Sequence, residues 1–312
     1  MPAPPPEAAP PTPAEELEVV FELVNRSKWS NTTAMPTPRT EVAAAAIGSR
    51  IYVIGGFEQG ARESGKVEIF NADTGSWEAG PSLPAPIHHA AAASFGTKLY
   101  LFGGFRGGFN PTGEVWIFDG YSKSWSKGAD IPTPRGALAV AIVGRFIHAI
   151  GGVSAQGVSA ANEAYDTATD SWTSKAPMQT AREHLAAGSI TGKIYAVGGR
   201  RGNLASNLAV TEEYDPVTDT WTEKTGMPTA RGGVAAATLK GKLYIFGGED
   251  ILKTYDSNEA YDPPNNAWST DQPMPTARHG LAAVTVGDKI YVIGGGPSPG
   301  FSYSGANEVF AP

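Results

Sequence analysis

The chain contains no cysteine, which excludes disulfides, thiolate metal ligands and cysteine nucleophiles. Charge is sparse, at 18% of residues, and no block of five or six basic side chains occurs. With a net charge of -7, a surface that tracks nucleic-acid phosphates or an anionic membrane lacks the cations it needs. No apolar run approaches the roughly 18 residues that a membrane-crossing helix requires, so membrane insertion is not expected. What the sequence has in abundance is Gly, 38 residues, and Pro, 25. Both disfavour helix interiors and favour turns, which points to an all-β chain. Residues 1–16 are mostly Pro, Ala, Glu and Thr, without the basic start and apolar stretch of a signal peptide. They read as a disordered tether, and residues 17–312 as the folded domain.

The dominant signal is an internal repeat. Gly-Gly pairs begin at Gly55, Gly103, Gly151, Gly198, Gly247 and Gly294, a step of 47 to 49 residues. Trp29, Trp77, Trp125, Trp172, Trp221 and Trp268 recur in the same rhythm, leaving only Trp116 outside the series. Each unit opens on a run of small apolar residues such as Ala43 to Ala46. It turns at a glycine such as Gly48 and continues in a β-branched and aromatic run such as Ile51-Tyr52-Val53-Ile54, which the Gly-Gly pair closes. After a variable loop, a third run ends in an aromatic, as in Tyr165-Asp166 or Tyr214-Asp215, and a tight turn leads to the Trp run. Four strands per unit follow. A single four-stranded sheet cannot bury both faces, so successive sheets must stack around an axis, the small residues innermost where space is least.

The Gly-Gly pair after an Ile-Tyr-Val-Ile type strand, with Tyr or Phe seven residues before Trp, resembles the kelch motif, and the pattern runs over roughly residues 29 to 312. The resemblance implies a six-bladed kelch β-propeller with four antiparallel strands per blade. Trp29 arrives with no first or second strand before it, and the sixth unit stops after its third strand, so the N-terminal Trp strand is expected to complete the last blade from outside. Val19 to Val24 also reads as a strand without an assigned place.

Sixteen residues before each Gly-Gly pair stand Arg39, Ile87, Arg135, Arg182, Arg231 and Arg278. Because the first two strands are antiparallel, this slot shares one rim with the variable loops. Two readings stand for the arginines: a guanidinium fork for carboxylate or phosphate at a channel mouth, or ties that hydrogen-bond carbonyls of the sheets. The next two slots bring Thr40, His88, Gly136, Glu183, Gly232 and His279, then Glu41, His89, Ala137, His184, Gly233 and Gly280. Four of the five histidines thus gather at the rim. They sit on separate units without close chain spacing, so the favoured reading is a solvated polar channel with no metal site and no cofactor. His148, in a slot otherwise filled by Tyr, reads as a packing substitution. The loops add Phe57, Phe105, Arg106, Arg200, Tyr255 and Tyr303 as candidate contacts.

Many kelch propellers are interaction modules. The leading expectation is a binding propeller for an acidic peptide, a partner protein or an anionic small ligand such as an anionic carbohydrate, engaged by the arginine rim together with His88 and His89. The alternative resembles the kelch sialic-acid mutarotases: arginines would hold the sugar carboxylate while Glu41, Glu183, His184 or His279 moves protons. A third class is a structural or assembly domain on a Pro-rich tether. Copper oxidases of the kelch superfamily need a cysteine-modified tyrosine and are excluded. The spaced Glu, Asp and His motif of the iron-dependent kelch specifier proteins is missing. Tether and lack of cysteine suit a bacterial periplasmic, secreted or cell-surface location.

Overall fold

A computed structural model describes residues 28–312; the tether and Val19 to Val24 lie outside the described residues. The described chain has no helix, and its strands form six four-stranded antiparallel sheets, with short hairpins in several loops. In the first sheet Ala43–Ile47, Arg50–Ile54, Val67–Asn71 and Ser76–Ala79 follow one another from inside to outside. The second strand is the most deeply buried, with Ile51, Val53 and Ile54 at 1% exposure or less, as its β-branched content requires. The inner strands are Ala-rich and line an axial channel together with their counterparts from all six sheets.

No sheet has a core of its own. Each hydrophobic cluster draws on two successive sheets: Tyr52 and Ile54 pack with Leu99, Leu101 and Phe118 of the next, and Tyr244 and Phe246 with Ile290, Val292 and Phe310. The first sheet also meets the sixth, where Ile51, Val53 and Phe70 pack against Val284, Tyr291 and Ile293. The expected N-terminal strand is present: Trp29–Asn31 pairs antiparallel with Asn307–Phe310, Trp29 opposite Phe310.

The repeated residues explain themselves as joints between sheets. In each Gly-Gly pair the second amide donates to the carbonyl of the next unit's arginine slot, from Gly56 to Ile87 (2.8 Å) round to Gly295 to Arg39 (2.8 Å). A Cβ on Gly55 would stand 2.5 Å from that Ile87 oxygen, and φ is +64° there, so only glycine fits. Each of the six serial tryptophans donates its indole N–H backward to the preceding unit. Trp77 bonds to Thr33 O, Trp125 to Pro81 O, Trp172 to Ala129 O, Trp221 to Ala176 O and Trp268 to Thr225 O, and Trp29 closes the set on Gln272 O, all at 2.7 to 2.9 Å.

Candidate functional site

The arginine slot turns inward. Arg39, Arg135, Arg182, Arg231 and Arg278 are each 0% exposed, and each pairs with a buried glutamate on the third strand of its own sheet. The partners are Glu68 (2.8 Å), Glu163, Glu212 (2.5 Å), Glu259 (2.5 Å) and Glu308 (2.6 Å). Most of the remaining donors reach carbonyls, as when Arg231 bonds Gly247 O at the Gly-Gly turn, Ile245 O of the second strand and Thr229 O just before the arginine, while Arg39 Nε and Arg182 Nε have no hydrogen bond among the described residues. Burial lowers the guanidinium pKa values and the glutamates oppose it. A guanidinium paired with a buried glutamate and without exposed surface cannot meet a ligand, so the expectation of an arginine-lined rim is corrected: these five arginines are ties. The glutamate slot was the missed signal. Glu stands in the same five units as Arg, and the unit with Ile87 carries Trp116 in its place.

Just beyond the ties the chain enters the left-handed region in every unit. Glu41, His89, Ala137 and His184 have φ of 51 to 53°, Gly233 70° and Gly280 58°. Their amides form a cycle across the axis: Glu41 N–H bonds to Gly280 O, Gly280 to Gly233, Gly233 to His184, His184 to Ala137, Ala137 to His89 and His89 to Glu41, at 2.7 to 3.2 Å. A non-glycine residue here costs about 1–2 kcal/mol. Three of the six slots nevertheless carry a long polar side chain, and the cycle aims all three at the mouth of the channel.

Those side chains meet. His89 Nε2 lies 3.3 Å from Glu41 Oε2, and the His89 and His184 rings stand edge to face, centroids 4.9 Å apart. His88 Nε2 is 2.7 Å from the Gly108 carbonyl, which can only accept, while His88 Nδ1 is 2.6 Å from His89 Nδ1. Burial lowers the His88 pKa, and on a neutral ring with its proton on Nε2 the Nδ1 accepts. His89 therefore donates from Nδ1 and keeps a lone pair on Nε2, facing the carboxylate. Behind His184, Glu183 Oε2 packs against Nδ1, and Arg200 Nε holds the other Glu183 oxygen at 3.0 Å. Arg200 also reaches Glu249 (2.9 Å), and His279 Nε2 sits 3.7 Å from Glu41 and 3.6 Å from Glu249. Burial, and the neighbouring charge of Glu249, push the Glu41 pKa up to about 8 against the pull of Arg200. Burial lowers His89 and His184 well below the ordinary imidazole range, with nearby imidazoles and Arg200 adding to it. The argument from chain spacing against a cluster fails because neighbours across an axis are separated by whole repeats.

The attractin/LZTR1 β-propeller family matches over residues 51–302. The chain belongs to that family. No curated protein matches it. Membership makes the stacked sheets those of a kelch-like β-propeller and gives the chain, in general terms, a binding or interaction role. Among the described residues no helix is long and apolar enough to cross a membrane.

On this propeller the predicted loop contacts divide. Phe57 and Phe105 are buried and pack on His88, Phe57 stacking at 4.0 Å. Arg106 pairs with Glu114 at 2.5 Å, Tyr255 donates to Asp250 (2.7 Å), and Tyr303 accepts from the Ala61 amide (2.7 Å). Each of these is engaged in its own loop or a neighbouring one. The freely presented groups are Phe109 and Phe301, 59% and 58% exposed, which stand 6.3 and 5.2 Å from Phe57. With Leu204, Arg200, Glu249 and the polar cluster they line a mouth cavity of about 170 Å³. His148 is buried, hydrogen-bonded to Asn162 and packed on Tyr214, as expected of a packing residue.

Proposed function

We propose that this is a six-bladed kelch propeller, closed where the Trp29 strand joins the sheet of Asn307–Phe310, which binds a partner protein at the mouth of its channel. The observation that carries this reading is the aromatic rim. Phe109 of the second blade and Phe301 of the sixth are exposed on either side of Phe57, over a polar, concave floor. Exposed aromatics around a recess supply apolar area at low entropic cost, the composition of interface anchors. The partner offers an apolar side chain to this rim and polar groups to its edge, where Arg201 and Arg62 are exposed. Recognition of an anion by the five slot arginines is withdrawn with their burial, and the sugar-isomerase alternative loses the carboxylate clamp it relied on.

Selection of a displayed peptide library on the wild-type propeller tests this reading. Enriched peptides are expected to carry an aromatic or aliphatic anchor and to lose at least tenfold in affinity on a Phe109→Ser, Phe301→Ser variant, about 1.4 kcal/mol or more. They should bind normally to Tyr121→Ser, which alters an exposed aromatic outside the mouth cavity. Equal binding to the mouth variant would overturn the proposal.

A further inference from the structure

We propose that Glu41, His89 and His184 form a divalent transition-metal site on the axis of the propeller. One ligand atom from each lies within 4.8 Å of those of the other two. The side chains come from three different blades, and their convergence depends on the cycle of left-handed residues rather than on any local motif. Ligands of a tetrahedral zinc ion at 2.0–2.1 Å stand about 3.4 Å apart. The Glu41 to His89 pair already has that spacing at 3.3 Å, and the His184 ligand atom lies within 4.8 Å of both.

Three independent features point to a cation rather than to a solvated polar cluster. The first is the tautomers. His89 gives its Nδ1 proton to His88 and holds the Nε2 lone pair toward a carboxylate oxygen, a contact that a proton or a cation must bridge. His184 Nδ1 touches Glu183 Oε2, and neither of its ring nitrogens has a hydrogen bond among the described residues. Both rings are thus backed on one nitrogen and open on the other, the arrangement that orients metal-ligating imidazoles. The second is charge: the carboxylates of Glu183 and Glu249 share a single guanidinium, that of Arg200, beside the three ligands. The third is chemistry. Two imidazoles with one carboxylate suit zinc, iron, cobalt, nickel or copper, whereas calcium and magnesium take oxygen ligands. Three protein ligands leave a coordination position for a water or for a donor group entering from the mouth.

The same slot holds Ala137, Gly233 and Gly280 in the other blades, so small residues are compatible with the fold at this position. The experiment uses the chelator-treated propeller dialysed against Zn²⁺, with bound metal counted by mass spectrometry, and against Co²⁺, read by its visible ligand-field bands. Wild type is expected to bind one ion per chain, with cobalt bands of nitrogen and oxygen ligation. His89→Ala combined with His184→Gly should bind none, while its melting midpoint in chelator stays at or above that of wild type because glycine relaxes the left-handed backbone. Glu183→Gln, which keeps all three ligands, should weaken binding roughly 10- to 100-fold. The proposal is overturned if wild type shows no saturable binding of either ion below millimolar concentration, or if the double variant still binds one ion per chain. Neither outcome bears on the peptide selection, which reads the aromatic rim.

Discussion

The second four-stranded sheet differs from the other five in what joins its inner strand to its third. Five sheets use a sealed arginine and glutamate, whereas the second uses Ile87, 1% exposed, with Trp116 packed in the same cluster. An ion pair in a dry interior recovers its desolvation cost only with good geometry and full hydrogen bonding, and an apolar pair of similar volume does comparable work. The second sheet is therefore an internal control: it keeps the fold without the pair, so the pair is one of two solutions to the same packing problem. It also explains the one tryptophan outside the series. The indole N–H of Trp116 goes to Glu114, which Arg106 holds, and the charge has moved toward the loop.

This contrast can be broken in graded steps. Replacing one partner should do most damage: Arg231→Ala leaves Glu259 buried and unpaired, with an expected loss of about 3–5 kcal/mol in urea unfolding. Replacing both, Arg231→Ile with Glu259→Trp, imitates the second sheet and should cost less than Arg231→Ala alone. A double variant worse than the single would show that the second sheet owes its stability to something else. Trp268→Phe removes the indole bond to Thr225 O and is expected to cost about 1 kcal/mol. Trp116→Phe, whose bond is to a loop carboxylate, should cost less than that when measured side by side.

The third sheet provides a smaller test, since His148 replaces the Tyr of the other sheets. Burial lowers its pKa below 6.5, only partly offset by the Asn162 bond. The unfolded chain then binds a proton that the folded one refuses. Stability is full above pH 6.5 and falls as pH drops through that value toward the folded pKa. His148→Tyr should make the acid limb of the stability curve shallower, and an unchanged limb would assign it to the mouth histidines His88, His89, His184 and His279, whose pKa values burial also lowers.

The order of strands, the Gly-Gly turns and the N-terminal Trp strand were legible because a 48-residue rhythm exposes every slot six times. The ties were half legible. Arg39 and its equivalents stood out, but their partners lie 28 to 30 residues downstream, and the matching Glu column was needed to see them as internal. Glu41, His89 and His184 were visible as polar side chains in one slot, yet their meeting depends on the left-handed turn that points them across the axis. Spacing along the chain carries no trace of that distance. Phe109 and Phe301 are loop aromatics like Phe57 and Phe105, and only the fold separates the exposed pair from the pair spent on packing.

The pairing of Trp29–Asn31 with Asn307–Phe310 also has a bearing on biosynthesis. During translation the strand containing Trp29 emerges before the other described strands and has no sheet to join until Asn307–Phe310 has been made. Through that interval the sheet built on Ile51 and Phe70 shows a neighbouring nascent chain the apolar face that Tyr291 and Ile293 later cover. The late pairing that withdraws this face sets the window in which two growing copies can exchange strands or aggregate.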